Sequence, residues 1–326
     1  MRIIASLTVQ LTFSDHRSPN PDERSLGPIP LLPKPVFGRG KAVTFLSFQH
    51  FSLLYRFINL QIKPMPGFVD ISDFLTTKHQ AYSRIISVVP SLTELLSDLN
   101  LNDEVIGITK FCIRPKHWYN SKIKIGGTKN LHLQQISQLK PDLIIANKEE
   151  NEKEQVLQLA ANYDVWLTDI NTIHDAIQTI YHCGILTNRS REAEKLVAAI
   201  NHQFFSLNEI HQKQTTCYLI WRNPYMTVGG DTFIDAMMNA AGLENVFHDS
   251  SRYPIVTFAD IAAKKPSLIL LSSEPYPFKE QHIDEIKRGV PDTAILLVDG
   301  EMFSWYGSRM LQAPTYFLNL WRHGLH

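Results

Sequence analysis

Glu149, Glu150, Glu274 and Glu301 each follow a short apolar run, where side chains gather that do acid–base chemistry. Glutamates on loops serve equally well as solvated charges or helix-start caps. The sequence contains no G-x-S-x-G, H-E-x-x-H, phosphate-binding loop or G-x-G-x-x-G pattern, and "GRGK" at 38–41 lacks the phosphate-loop spacing. His117, His132, His174, His182, His202, His211, His248 and His282 are dispersed without the spacing of metal ligands, so no metal site is expected. More telling are the rings near the same positions: Tyr225, Tyr276, Phe278, Phe303, Trp305 and Tyr306. Aromatic side chains at loop tips are costly to leave in water and commonly meet a flat ligand or a partner. The pattern points to binding, and no catalytic residue is expected.

The elements that carry these loops are written twice. "ISQLKPDLIIANKEE" (136–150) and "IAAKKPSLILLSSEP" (261–275) share an amphipathic lead-in, Lys-Pro, four apolar residues and a polar patch with a glutamate. "RIISVV" (84–89), "VIGIT" (105–109), "LIIAN" (143–147) and "VWLTD" (165–169) read as strands in the first half. "CYLIW" (217–221), "LILLS" (268–272) and "ILLVD" (295–299) do so in the second. Helical patterns alternate with them, which implies parallel sheets covered on both faces. Ser91 and Glu94 suggest a capping box ahead of Leu95, Leu96 and Leu99. Between the halves, Ala193, Leu196, Val197, Ile200, Phe204 and Leu207 form a 3.6-residue stripe within Arg189–Gln212. A single helix over that span would be about 36 Å long, a stiff strut between two lobes facing each other across a cleft.

Bulk properties narrow the class. The 326 residues are 44% hydrophobic and 20% charged, with a formal net charge of zero, so nothing favours nucleic acid or an anionic membrane as partner. Cys112, Cys183 and Cys217 are scattered without C-x-x-C, which argues against a disulfide framework and a thiolate zinc site. Ala42–Ile62 is the most apolar stretch but carries Arg56, and "MRIIASLTVQLTFSD" makes a poor secretory signal. Residues 1–64, rich in proline, read as irregular: an extension or an N-terminal arm. The expected division is 1–64, an α/β lobe over 65–170, a connecting helix over 171–213 and a second α/β lobe over 214–326.

"RIISVVPSLTELLSDLNLNDEVIGIT", "GGTKNLHLQQISQLKPDLIIANKEEN" and "DTFIDAMMNAAGLENVF" together resemble the substrate-binding proteins of cobalamin and iron-siderophore ABC importers. The likeness runs from Met65 to the C-terminus. It implies two Rossmann-like lobes joined by a long rigid helix, the class III periplasmic-binding-protein architecture. It further implies a corrinoid, haem or ferric siderophore held between the lobes and no catalytic cofactor. The positions matching the family's ligand contacts are Phe111, Asn147, Tyr253 and the tip Glu301–Tyr306. Asn147 stands where the vitamin-binding pattern has a tryptophan, a departure that argues against cobalamin itself. The resemblance implies an ABC permease as partner, docked through one acidic residue per lobe, but the matching positions are Gln134 and Ala259.

The expected ligand set is therefore Phe111, Asn147, Tyr225, Tyr253, Glu301, Phe303, Trp305, Tyr306 and Arg309. Glu301, Asp299 and Arg309 would orient polar edges while Trp305 and Tyr306 stack on an apolar face. A monomer is expected. The resemblance implies a periplasmic location and the poor export signal a cytoplasmic one. In the cytoplasmic alternative, the same fold stores, delivers or processes a metal chelate.

Overall fold

Two separate parallel sheets carry the two halves of the repeat. The computed structural model describes residues 67–76 and 80–324, so the irregular segment expected at 1–64 lies outside the described residues. The first lobe contains β1 (Ile85–Ser87), β2 (Val105–Ile108), β3 (Ile123–Lys124), the small antiparallel pair β4 (Gly126–Gly127) and β5 (Asn130–Leu131), β6 (Leu143–Asn147) and β7 (Val165–Thr168). Its sheet has the order β3-β2-β1-β6-β7, all parallel. The second lobe contains β8 (Gln214–Leu219), β9 (Leu243–Asn245), β10 (Leu268–Ser272) and β11 (Ala294–Val298), in the parallel order β11-β10-β8-β9.

Helices α1 (Ile71–Thr76), α2 (Pro90–Asp98), α3 (Lys116–Ser121), α4 (Leu133–Leu139) and α5 (Lys153–Ala160) belong to the first lobe. After the connection come α8 (Phe233–Ala240), α9 (Phe258–Lys264), α10 (Glu280–Gly289), α11 (Glu301–Ser304) and α12 (Ala313–His323). Strands β6 and β10 are buried along their whole length, as expected of sheets covered on both faces. Period-two alternation then divides the second sheet between two cores. Tyr218, Leu268 and Leu270 join the large core shared with the first lobe, whereas Cys217, Leu219, Ile269 and Leu271 face a smaller one behind.

The connection differs from the expected strut. It is a pair of helices, α6 (Ile173–Leu186) and α7 (Ser190–Phe205), packed against each other and followed by a 3-10 turn at Ser206–Glu209. Thr172 opens α6 with a full capping box to Asp175, and Asn188 turns the chain in the left-handed region between the helices. At 16 residues α7 is about 24 Å long, shorter than the apolar stripe alone suggests. The stripe is real, since Ala193, Val197 and Ile200 are buried, but part of what it covers is α6. A Cβ on Gly184 would come 2.6 Å from the Ala193 Cβ, so the close approach of these helices depends on that glycine.

The start of α2 also departs from expectation. Pro90 occupies the first helical turn and Val89 is the N-cap, without any side-chain cap. Ser91 and Glu94 thus sit inside the helix, free for other work. Proline's preference for the first helical position overrides the S-x-x-E signal.

Candidate functional site

The repeated sentence folds into a repeated device. Lys140 and Lys265 end α4 and α9 in the left-handed conformation, with φ of 49° and 51°, and proline then directs the chain into β6 and β10. At the carboxyl end of β6, the Asn147 side chain accepts the N–H groups of Glu149 (2.8 Å) and Glu150 (3.3 Å). Its amide donates to Thr168 Oγ1 at 3.1 Å. At the end of β10, Ser272 takes the equivalent place and donates to the Glu274 carbonyl at 2.5 Å. Asn147 was expected among ligand contacts. The structure gives it a buried position, where it shapes the loop that presents Glu149 and Glu150.

These carboxyl ends meet in a seam between the lobes, closed by charge. Near α2, Arg309 donates from Nε to Glu94 Oε2 at 3.0 Å and pairs through Nη2 with Oε1. Glu301 accepts Arg114 Nε at 2.8 Å, with Arg309 Nη2 at 3.6 Å. Glu94, Arg309, Glu301 and Arg114 therefore alternate in sign, two from each lobe. A second closure joins Arg252 to Glu149, and Arg252 Nη1 also donates to Asn171 Oδ1 at 2.9 Å. Tyr253 donates its hydroxyl proton to Glu149 Oε2 at 2.8 Å.

Glu150, from the first lobe, lies within electrostatic reach of Glu274, from the second, and of the Tyr253 and Tyr306 hydroxyls. Burial, then the Glu274 charge, pushes the Glu150 carboxyl up to about 7, with Lys129 opposing. Glu274 is raised as well, chiefly by burial, although its Oε1 accepts Ser304 Oγ (2.5 Å) and Trp305 Nε1 (2.8 Å). The buried hydroxyls of Tyr306 and Ser91 lie within hydrogen-bonding reach of each other, and the buried Ser308 oxygen has no hydrogen-bond partner among the described residues.

The rings expected at an open rim are turned inward. Phe303 is fully buried among Tyr218, Tyr316 and Phe317; Trp305 and Tyr306 are also buried, Tyr306 edge-on to Phe233. Arg309, expected to orient a ligand, is buried in its ion pairs, and its guanidinium lies 5.5 Å from the Trp305 ring centre. The reason is local: α11 and the 3-10 turn Ser308–Leu311 fold the tip back against α2 and α7. Tyr225 donates to Glu285 at 2.6 Å, and Arg222 pairs with the same carboxylate, a cluster within the second lobe. Phe111 alone among the expected rings is largely open, 51% exposed, with Lys110 over its face.

Glu94, Arg114, Ser91 and Arg252 complete the seam and were missed as site residues, and Glu150, weighed as an acid–base group or a solvated loop charge, was left out of the ligand set. Of these, Glu150 could have been found from its place beside Glu149 on the repeated loop. Cys112 is buried between Thr93 and Thr109, and burial raises its thiol, the opposite of a reactive thiolate. Gln134 and Ala259 are exposed in the first turns of α4 and α9. Asp260, beside Ala259, is occupied as the capping partner of Thr257.

Residues 85–290 match the family model described as "Periplasmic binding protein". The vitamin B12-binding protein of Photorhabdus laumondii is 25% identical over 207 residues, 62% of this chain and 75% of the relative. A possible iron-binding (periplasmic solute-binding) protein from Staphylococcus epidermidis aligns with a TM-score of 0.63 and 26% identity, over 72% of this chain and 96% of that one. The periplasmic haem-binding protein RhuT from Roseiflexus sp. RS-1 shares the fold, with a TM-score of 0.63 at 20% identity over 73% and 98% of the two chains. With two parallel lobes closed on a seam at their strand ends, and a family match over most of its length, this chain belongs to the periplasmic binding protein family.

Proposed function

We propose that the protein is a non-catalytic binding protein that takes a large flat or metal-chelate ligand, a corrinoid, haem or ferric siderophore, between its lobes. The observation that carries this reading is the pairing of equivalent loops: the repeat puts Glu149 and Glu150 on one side of the seam and Glu274 on the other. Open parallel sheets gather ligands beyond the carboxyl ends of their strands. The relatives' named ligands, vitamin B12 and haem, support a chelate of this size. A ligand of that breadth enters only if the Arg252–Glu149 and Tyr253–Glu149 closures open, so the buried rings near α2 serve as the floor, and Phe111 and Tyr253 as the wall.

Isothermal titration against cobinamide, cobalamin, haemin and ferric siderophores tests the reading. Micromolar or tighter binding of one member is expected, and heat from none would overturn it. A second reading, a carrier of the same fold that hands on a chelate without a permease, is favoured by the uncharged Gln134 and Ala259. Permease arginines would find no carboxylate at either position.

A further inference from the structure

We propose that the edge of the first sheet, from Lys110 to Lys124, is a docking surface for an anionic lipid bilayer. The zero net charge of the chain hides a segregation. Between Glu104 and Asp142 lie seven lysines and arginines and no carboxylate. Residues 110–124 fold into the loop after β2, the short helix α3 and the strand β3, which ends the sheet order and leaves one side unpaired. Arg114 is taken by Glu301, and Lys122 donates to the Asn102 carbonyl in the field of Asp103 and Glu104. Lys110, Lys116 and Lys124 have no carboxylate within ion-pair distance among the described residues. Lys124 donates instead to the Tyr119 and Lys122 carbonyls.

The same segment is apolar at its surface. Phe111, Ile113, Tyr119 and Ile123 are half of the eight large apolar side chains exposed among the described residues. Lysine stems lie beside the rings, with Lys110 Nζ 5.1 Å from the Phe111 ring centre and Lys124 Nζ 4.8 Å from that of Tyr119. Lysines at an edge strand are explained by themselves as guards against strand pairing. That does not explain why two isoleucines and a phenylalanine stand in water next to them. A bilayer surface satisfies both: anionic headgroups take the ammonium groups, while the apolar side chains enter the boundary between headgroups and acyl chains. A protein partner fits less well, because protein interfaces are poor in lysine and rich in arginine, and Arg114 is already paired. A nucleic-acid backbone would neutralise the lysines and leave Ile113 and Ile123 in water. Arg114 ties this edge to Glu301 across the seam, so a docked protein holds its ligand site at the membrane surface.

The test is co-sedimentation of the full-length protein with vesicles of phosphatidylcholine alone and with phosphatidylglycerol added. Binding about tenfold tighter to the anionic vesicles is expected, weakening as salt screens the contact. K110E/K116E should lose that preference at an unchanged melting temperature, since both lysines are exposed and form no ion pair. I113S should weaken binding by about fivefold and keep the salt dependence. K287E, on α10 of the second lobe, should bind like the parent. Equal binding to both kinds of vesicle would overturn the proposal. So would K110E/K116E or I113S binding as tightly as the parent, or K287E losing as much as K110E/K116E. A polyglutamate peptide or an oligonucleotide that binds where the anionic vesicles do not would overturn it in favour of a macromolecular partner.

Discussion

Arg309 and Glu94 lie 215 residues apart in sequence and form a two-point ion pair across the lobes, with side chains only 5% and 14% exposed. Burial raises the Glu94 carboxyl, and the Arg309 charge and hydrogen bonds oppose that rise. Removing one partner would strand the other. R309M is expected to cost about 3–5 kcal/mol, the range for breaking a buried pair. At about 2–4 °C per kcal/mol for a chain of this size, the melting temperature should fall by about 6–20 °C. R309M/E94Q should recover part of the loss, because the uncompensated charge is gone. Equal melting temperatures for R309M and the parent would refute the pairing.

The outer closure should behave differently. Arg252 is 43% exposed, so its pair with Glu149 is worth about 0–1 kcal/mol and is sensitive to salt. R252A is expected to leave the melting temperature within about 4 °C while shifting the lobes toward separation. All three cysteines are buried, so spin labels at K153C and I255C would report inter-lobe distances cleanly. Longer, broader distances in R252A, and in the parent at high salt, are expected. Unchanged distributions would mean that this pair does not hold the seam.

Gly307 sets the fold-back of the aromatic tip. Its φ of 95° and ψ of −142° belong to a region essentially reserved for glycine, and an added Cβ would come 3.3 Å from Leu95 Cβ on α2. G307A should therefore cost about 1–3 kcal/mol, read as a lower urea midpoint with an unchanged slope. A variant as stable as the parent would show that the tip can reach α2 by another backbone path.

The architecture was legible because it is local and repeated. The identical placement of Lys140 and Lys265, each followed by proline and five strand residues, is written in fifteen contiguous positions per lobe. Periodicity found β6 and β10 to the residue, and found the stripe on α7. The seam was not legible, because its pairs are non-local: Glu301 finds Arg114 across 187 positions, and no periodicity encodes that meeting. The rings of "DGEMFSWYGSR" looked exposed because the sequence between β11 and α12 shows no long element, yet two short helical turns suffice to bury them. Ser91 and Glu94 have the spacing of a cap, but Pro90 starts the helix one residue earlier and leaves both inside it.

Glu150 supplies a pH dependence with a definite sign. Its carboxyl rises from an ordinary value near 4.5 to about 7, through burial first and the Glu274 charge second. The folded protein then binds more protons than the unfolded chain between those two values, so stability falls as pH rises through that window. Above about pH 7 the folded state carries a seam charge that the unfolded chain would leave in water. Partial solvent access discounts the full effect, which leaves a loss on the order of 2 kcal/mol between pH 4.5 and 7.5. E150Q should abolish that decline and be more stable than the parent at pH 8, by several degrees in a thermal melt. Groups near Glu150 set how sharp the decline is, since Glu274 raises its proton affinity and Lys129 lowers it. K129M should therefore move the decline to higher pH. Parallel stability profiles for E150Q and the parent would show that the Glu150 carboxylate is already neutralised by a cation the chain supplies itself.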